Sequence, residues 1–405
     1  MIASHGVASS QASRSDAALL AAVLAANPGL LPTVKFIPNV KSGGHCYGPY
    51  ICDPMTNIWK RRHNLVVEEV LAKAFERVTD LTSTERHHVH GRRGRADMVR
   101  ALAGEALDAG FVEKLDANLD LLAASNGVFD TSPEALREGG GRPLFRPIAR
   151  EDLVSNTTGW AYDAEASRTH RVDVEDFLAK ILPVPEERRV VLAFVATLFS
   201  GRRELKKFLV LTARRGGNNG KTCLLLLILT FLGDYGKTTT KFVCRGALDR
   251  ARVSHDTGLE AAKGMRLVAT EELAKSTTLD EGFLKSKSGG AGVVAEGRRF
   301  GKNAPFRFVW QAAFLLVFDE GGCPQFDHQD AEFVGRMLVA PMRSKFVEEP
   351  PRASNGGEAA EREWTFPVDR TVHAKFPVWM SAFADVLREH YGIQAFAQLP
   401  AEMRM

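Results

Sequence analysis

An α/β fold is predicted by three short apolar runs, each ending in polar residues and separated by helix-patterned sequence. Phe208–Thr212 (FLVLT) leads into a glycine-rich loop and a helix that starts at Lys221. Met265–Thr270 (MRLVAT) ends in Glu271-Glu272, and Phe314–Phe318 (FLLVF) ends in Asp319. Strands that alternate with helices and carry polar residues at their C-terminal ends indicate an α/β sheet with a site along that edge.

The elements before this core read differently. Residues 1–16 are small and polar and read as a disordered tail; Asp16–Ala26 (DAALLAAVLAA) follows as a short helix closed by NPG. YGPYICDPMTNIW reads as a hairpin, and LVVEEVLAKAFERV and ADMVRALAGEALDAGFVEKLD have apolar residues at helical spacing. Asn126-Gly127 is a turn between apolar segments, and PEALREGGGR (133–142) reads as a loose loop. Residues 172–200 read as amphipathic helices broken at Pro183 and Pro185. Past the core, 347–363 is an acidic, Pro/Gly-rich surface loop, and PVWMSAFADVLREHY is a helical tail. The expected organisation is therefore a variable N-terminal segment (1–45), a mostly helical domain (46–170), the core (171–346), and an acidic loop with a C-terminal helical tail (347–405).

Composition narrows the class. Of the 405 residues, 45% are hydrophobic and 25% charged, as in a water-soluble globular protein. The net charge of +4 is small, so any affinity for nucleic acid must come from local patches. Five cysteines (Cys46, Cys52, Cys223, Cys244, Cys323) form no CxxC pair, which argues against a zinc ribbon or a disulfide framework and fits a reducing compartment. The longest apolar run, Cys223 to Leu232, is about half the length a membrane span needs. The first residues lack a signal-peptide pattern. A soluble intracellular protein is expected.

The stretch RRGGNNGKTCLLLLILTFLGDYG (Arg214 to Gly236) carries the chemistry. A phosphate loop needs backbone N–H groups converging on phosphate oxygens, a lysine for the terminal phosphates and a hydroxyl for magnesium, all at a helix N-terminus. Gly216, Gly217 and Gly220 supply the permissive backbone, Lys221 the cation and Thr222 the magnesium hydroxyl. Asn218, Asn219 and Cys223 complete the expected nucleotide-contacting set. Arg215 stands where such loops usually open with glycine. Hydrolysis also requires carboxylates for the metal shell and for water activation. Glu271 and Glu272 are placed for that, with Glu271 the expected metal ligand beside Thr222. Adjacent strand residues point opposite ways, so the division of roles stays open.

With loop, Glu pair and spacing in hand, the chain resembles the superfamily-three helicases, the AAA+-type replicative helicases of DNA viruses, phages and plasmids. The match is to the helicase-primase branch of poxviruses and large nucleocytoplasmic DNA viruses. Asn219 immediately before GKT and the Leu232-Gly233-Asp234-Tyr235 end of the following helix carry it. So do the upstream stretches YGPYICDPMTNIW, FVEKLDANLDLLAASNGVFD and LFRPIAREDLVSNTTGWAYD. The resemblance covers roughly residues 46–395 and implies an AAA+-type P-loop NTPase core, ATP and Mg2+ as cofactors, and a homo-oligomeric ring, as a rule a hexamer, around single-stranded DNA. It also implies a DNA-gripping hairpin within KSKSGGAGVVAEGRRFGK (Lys285 to Lys302), with Lys285, Arg298, Arg299 and Lys302 on phosphates. Ala291 and Glu296 depart from the family pattern there. Asp319 falls at the polar sensor position, normally asparagine; an ionised aspartate cannot donate a hydrogen bond. Arg336 matches the arginine that completes a neighbouring subunit's site, with Arg343 as the fallback. A primase or polymerase-processivity partner and a viral replication site in the host cytoplasm or nucleus are further implications.

Two signals are set aside. ERHHVHGRRGR (Glu85 to Arg95) has three histidines but no carboxylate or thiolate near it in sequence, and reads as a mobile basic surface. Trp59, beside Lys60, Arg61 and Arg62, reads as half-buried with a solvated basic flank. The function expected is an ATP-dependent replicative DNA helicase. The alternatives are a degenerate relative that binds nucleotide and DNA but hydrolyses weakly as an assembly subunit, or another P-loop DNA motor.

Overall fold

A computed structural model describes residues 14–39, 46–213, 217–240, 243–245, 257–290, 292–298, 305–349, 364–392, 396 and 399–403. It divides into two compact units, Met1–Leu115 and Asp116–Met405, so residues 116–170 group with the sheet rather than with the N-terminal elements.

In the first unit, strands Val34–Asn39, Cys46–Cys52 and Trp59–Arg61 form an antiparallel sheet. Helices Asp16–Ala26, Asn64–Phe75, Ser83–His90 and Arg92–Glu105 accompany it. Its core gathers Leu19, Val23, Phe36, Val67, Leu71, Met98 and Leu102. ERHHVHGRRGR is helical here, not a loop. Thr82 and Glu85 make a reciprocal capping box at the helix start, which satisfies two end-of-helix donors. Arg14, inside the stretch expected to be a disordered tail, donates to Glu85 (Nε, 3.1 Å) and Asp80 (Nη1, 3.0 Å).

The second unit holds a five-stranded parallel sheet. Its strands are β1 (Phe208–Thr212), β2 (Gly236–Thr238), β3 (Leu267–Glu272), β4 (Ala313–Val317) and β5 (Met337–Pro341). Their spatial order is β5-β1-β4-β3-β2, and every pairing is parallel. β1 and β4 are buried along their whole length, as continuous apolar runs in a covered parallel sheet must be. β2 and β5 were not evident from the sequence. From β1 the chain travels to the far edge at β2, returns strand by strand to β4, then crosses to β5 on β1's other side. That reversal creates a switch point at the C-terminal edge of β1 and β4, where α/β sheets open their crevice.

Helices α1 (Ala164–Ile181), α2 (Pro185–Ala196), α3 (Lys221–Leu232) and α4 (Val372–His390) belong to this unit. Pro183 lies in the break between α1 and α2, and Pro185 opens α2 at a first-turn position where its missing N–H costs nothing. Phe177 of α1 packs on Phe376 and Trp379 of α4, with centroids 5.8 and 5.5 Å away, and Phe231 of α3 packs on Phe383 at 5.5 Å. PEALREGGGR is not a loop throughout: Pro133–Glu138 is a helix capped by Ser132. Among the described residues, no helix is long and apolar enough to cross a membrane.

The LGDY end of α3 anchors segment 116–160 to the sheet. The Tyr235 hydroxyl donates to Asn156 O (2.9 Å) and accepts from Ala123 N (3.2 Å). The Asp234 carboxylate accepts from Thr157 N at 3.1 Å. Gly233 has φ +52°, and a Cβ there would meet Thr158 O at 2.3 Å, so glycine is required both by conformation and by room. Arg266, 1% exposed at the start of β3, stacks over the Tyr235 ring at 5.4 Å and donates to Leu121 O at 2.6 Å. Burial lowers the Arg266 guanidinium from its ordinary pKa and raises that of the Tyr235 phenol. Tyr235→Phe, which strands a buried N–H and a carbonyl, is expected to cost about 1–3 kcal/mol in urea denaturation; unchanged stability would show that the junction does not depend on the hydroxyl.

Candidate functional site

The loop between β1 and α3 occupies the switch point. Gly216 and Arg215 lie outside the described residues, whereas Gly217 to Gly220 are described. Asn218 and Gly220 take φ of +65° and +86°, a region that glycine enters freely and asparagine more readily than most residues. A Cβ at Gly220 would lie 2.6 Å from the Ile181 side chain, so the loop packs on α1 as well as turning. Asn218 O accepts from Phe346 N at 2.8 Å, and the Asn219 side chain accepts from Lys221 N at 3.3 Å. α3 opens at Lys221 with no side-chain cap, and such a helix start attracts anions. Thr222 is exposed at its second position, and Cys223 is half-buried, its thiol pushed up to about 11 by burial.

Lys221 is the central group. Its side chain is only 8% exposed, and its ammonium is ion-paired with the Asp319 carboxylate. Asp319 reaches it because the chain beyond β4 stays hydrogen-bonded to the chain beyond β1. Phe318 N donates to Leu211 O (3.2 Å) and Glu320 N to Ala213 O (3.1 Å), which holds Asp319 beside the loop. Glu271 and Glu272 are both exposed at the end of β3, next to β4. Val317 N turns to the Thr270 hydroxyl (3.1 Å) at a bulge, and Glu272 then pairs opposite Val317. One sheet edge thus carries a buried cation, a helix N-terminus, a hydroxyl and three carboxylates. Hydroxyl and carboxylate oxygens are hard donors that suit Mg2+.

The two candidate arginines are engaged within the chain. Arg336 donates to Lys285 O (2.6 Å) and Ser288 Oγ (3.1 Å) and pairs with Glu332. Arg343 grips Glu187 through Nε (3.1 Å) and Nη2 (2.6 Å) and lies 5.7 Å from the Trp364 ring centroid.

Strands Val294–Arg298 and Pro305–Val309 form an antiparallel pair, as expected of a hairpin. Arg298 ends its first strand; Ala291, Arg299 and Lys302 lie outside the described residues. Lys285 belongs to the preceding helix, Glu281–Lys287, not to the hairpin, and its ammonium sits 2.6 Å from Asp330. Glu296, the acidic departure, has a local partner: it faces Arg307 across the strands, with the pair 3.0 Å apart. Trp59 is fully buried, 4.8 Å from the Phe111 ring, which removes it as a base-stacking surface. His88 does meet carboxylates, one distant in sequence and one nine residues on. Asp16 lies 2.8 Å away, and Asp97 belongs to the same cluster. Nothing in the sequence pattern pointed to that, because Asp16 comes from a helix more than sixty residues earlier.

Comparison with known proteins agrees with the upstream half of the sequence pattern. Residues 49–183 match the family described as D5 N terminal like. Over 298 residues, 73% of the chain, it is 28% identical to "Putative helicase L207/L206" of Acanthamoeba polyphaga mimivirus. Over 242 residues, 58% of the chain, it is 24% identical to "Putative helicase 184R" of Invertebrate iridescent virus 6. The chain spans 29% and 23% of the lengths of these two relatives. Among solved structures, the apo C-terminal region of NrS-1 aligns over 95% of this chain and 73% of its own, at 11% identity and a TM-score of 0.45. The chain is a mixed α/β protein with a D5 N-terminal-like segment, and over more than half of its length it is similar to viral proteins named putative helicases.

The arginine contacts generate a testable distinction. Arg343→Ala leaves the Glu187 carboxylate, 4% exposed, without its cation and is expected to cost about 3 kcal/mol. Arg336→Ala is expected to cost about 1–3 kcal/mol. Both are read by urea denaturation of the nucleotide-free chain. If Arg336→Ala left stability unchanged but removed ATP turnover, that arginine would act across a subunit boundary instead.

Proposed function

We propose that the chain is an ATP-driven DNA helicase subunit with a P-loop core of the AAA+ type, assembling as a ring, in the family's manner a hexamer, and moving along single-stranded DNA. The observation that carries this reading is the buried Lys221 ammonium at the start of α3, beside a left-handed Asn218/Gly220 loop at the sheet's switch point. In the proposed reaction, Gly216 to Gly220 and the α3 N-terminus hold the ATP phosphates, with Lys221 on the terminal ones. Thr222 and the Glu271-Glu272 pair supply the oxygen ligands that would hold Mg2+, whose charge offsets that developing on the phosphates. The Glu of the pair left free of the metal orients the attacking water. The Val294–Arg298/Pro305–Val309 pair, with Arg298, Arg299 and Lys302, holds the strand by salt-sensitive, sequence-independent contacts.

Two observations favour a second reading, a nucleotide-binding family member with weak turnover serving assembly. Lys221 is already paired with an acid, and both Arg336 and Arg343 are engaged within their own chain. ATP hydrolysis measured with and without single-stranded DNA separates the two. The helicase reading expects hydrolysis stimulated by DNA in the wild type and abolished by Lys221→Ala. Normal turnover in that variant sinks the assignment, and negligible turnover in the wild type selects the second reading.

A further inference from the structure

We propose that Asp319 is an internal competitor for Lys221, standing in for nucleotide phosphate when the site is empty and returning to the lysine as product leaves. The inference rests on the nucleotide reading above and adds to it a control on affinity.

A lysine ammonium that is 8% exposed cannot remain without a counter-charge at small cost. Phosphate oxygens would provide that charge in the occupied site; in the ligand-free chain Asp319 provides it. The two states exclude each other, because a carboxylate and a phosphate cannot share one buried ammonium without like-charge repulsion. Nucleotide must therefore break an existing ion pair, and its apparent affinity is reduced by that cost. Asparagine at this position would leave the lysine free to meet phosphate and would add no negative charge beside it.

Asp319 is also well placed to act reversibly. Hydrogen bonds from Phe318 N and Glu320 N to Leu211 O and Ala213 O fix the backbone on either side of it. Its side chain is 33% exposed, so it can turn toward solvent when phosphate arrives, whereas the lysine is enclosed. The mobile partner is thus the acid. ADP, with one phosphate fewer to hold Lys221, is the ligand that Asp319 displaces most readily.

The test is calorimetric titration of the full chain with ADP, in EDTA and again in magnesium, for wild type, Asp319→Asn, Asp319→Ala and Lys221→Ala. Both Asp319 variants are expected to bind metal-free ADP about tenfold more tightly than wild type, the size of a charge-assisted hydrogen bond recovered. Lys221→Ala is expected to bind weakly. Without nucleotide the Asp319 variants should melt earlier than wild type, and ADP should raise their melting temperature by more. Damage to the fold would weaken binding, so a gain in affinity has the opposite sign to a structural defect. Metal-free affinity equal to or below wild type in both Asp319 variants overturns the proposal, and wild-type binding in the same experiment leaves the nucleotide reading standing. Unchanged metal-free affinity with loss of magnesium-dependent binding also overturns it and makes Asp319 a metal ligand. If no form of the chain binds ADP, the nucleotide reading falls and this proposal with it.

Discussion

The site depends on the parallel pairing of β1 with β4 and on its continuation past the ends of both strands. Leu315, Leu316 and Val317 lie opposite Leu209, Val210 and Leu211, and the ladder runs on through Phe318 and Glu320. That register brings residue 319 to the mouth of the loop and carries an acid to Lys221. A slip of one residue would present a different side chain to the lysine. Because both strands are buried throughout, the slip would expose or misplace several large aliphatic groups, so the hydrophobic core itself holds the polar geometry at its edge.

Several charged residues singled out in the linear sequence have partners within the fold. Arg336 ties β5's entrance to the helix that contains Lys285, Arg343 neutralises a buried glutamate of α2, and Glu296 pairs with Arg307 across a hairpin. Arginine suits such work, since its planar fork can satisfy several acceptors at once. A residue's type and spacing show what it could touch, while its partners within the chain depend on segments far away in sequence.

The same contrast explains what could be read in advance. β1, β3 and β4 announce themselves as apolar runs ending in polar residues, and Phe208–Thr212 falls where the pattern puts it. β2 is three residues, Gly-Lys-Thr, and only partly buried, so it has no apolar signal and owes its existence to pairing with β3. β5 ends in Pro341, a residue that argues against a strand until it is seen to lie at the sheet's edge. Capping chemistry was present but outweighed by neighbouring glycines at Ser132-Pro133, and by histidines and arginines after Thr82. Of the candidate site, the loop, Lys221, Thr222 and the Glu pair were visible as local pattern. The partnership of Lys221 with Asp319 was not, because it joins residues nearly a hundred positions apart.

The junction around Tyr235 bears on where the sheet-bearing unit begins. A cut at residue 171, where helix-patterned sequence gives way to the core, would remove Ala123, Asn156 and Thr157 together. The Tyr235 hydroxyl, the Asp234 carboxylate and the enclosed Arg266 guanidinium would all lose acceptors or donors. The sheet-bearing unit therefore starts at Asp116, and segment 116–160 is part of it. A chimera that exchanged the loop and α3 with a relative's would have to bring that relative's version of this segment along.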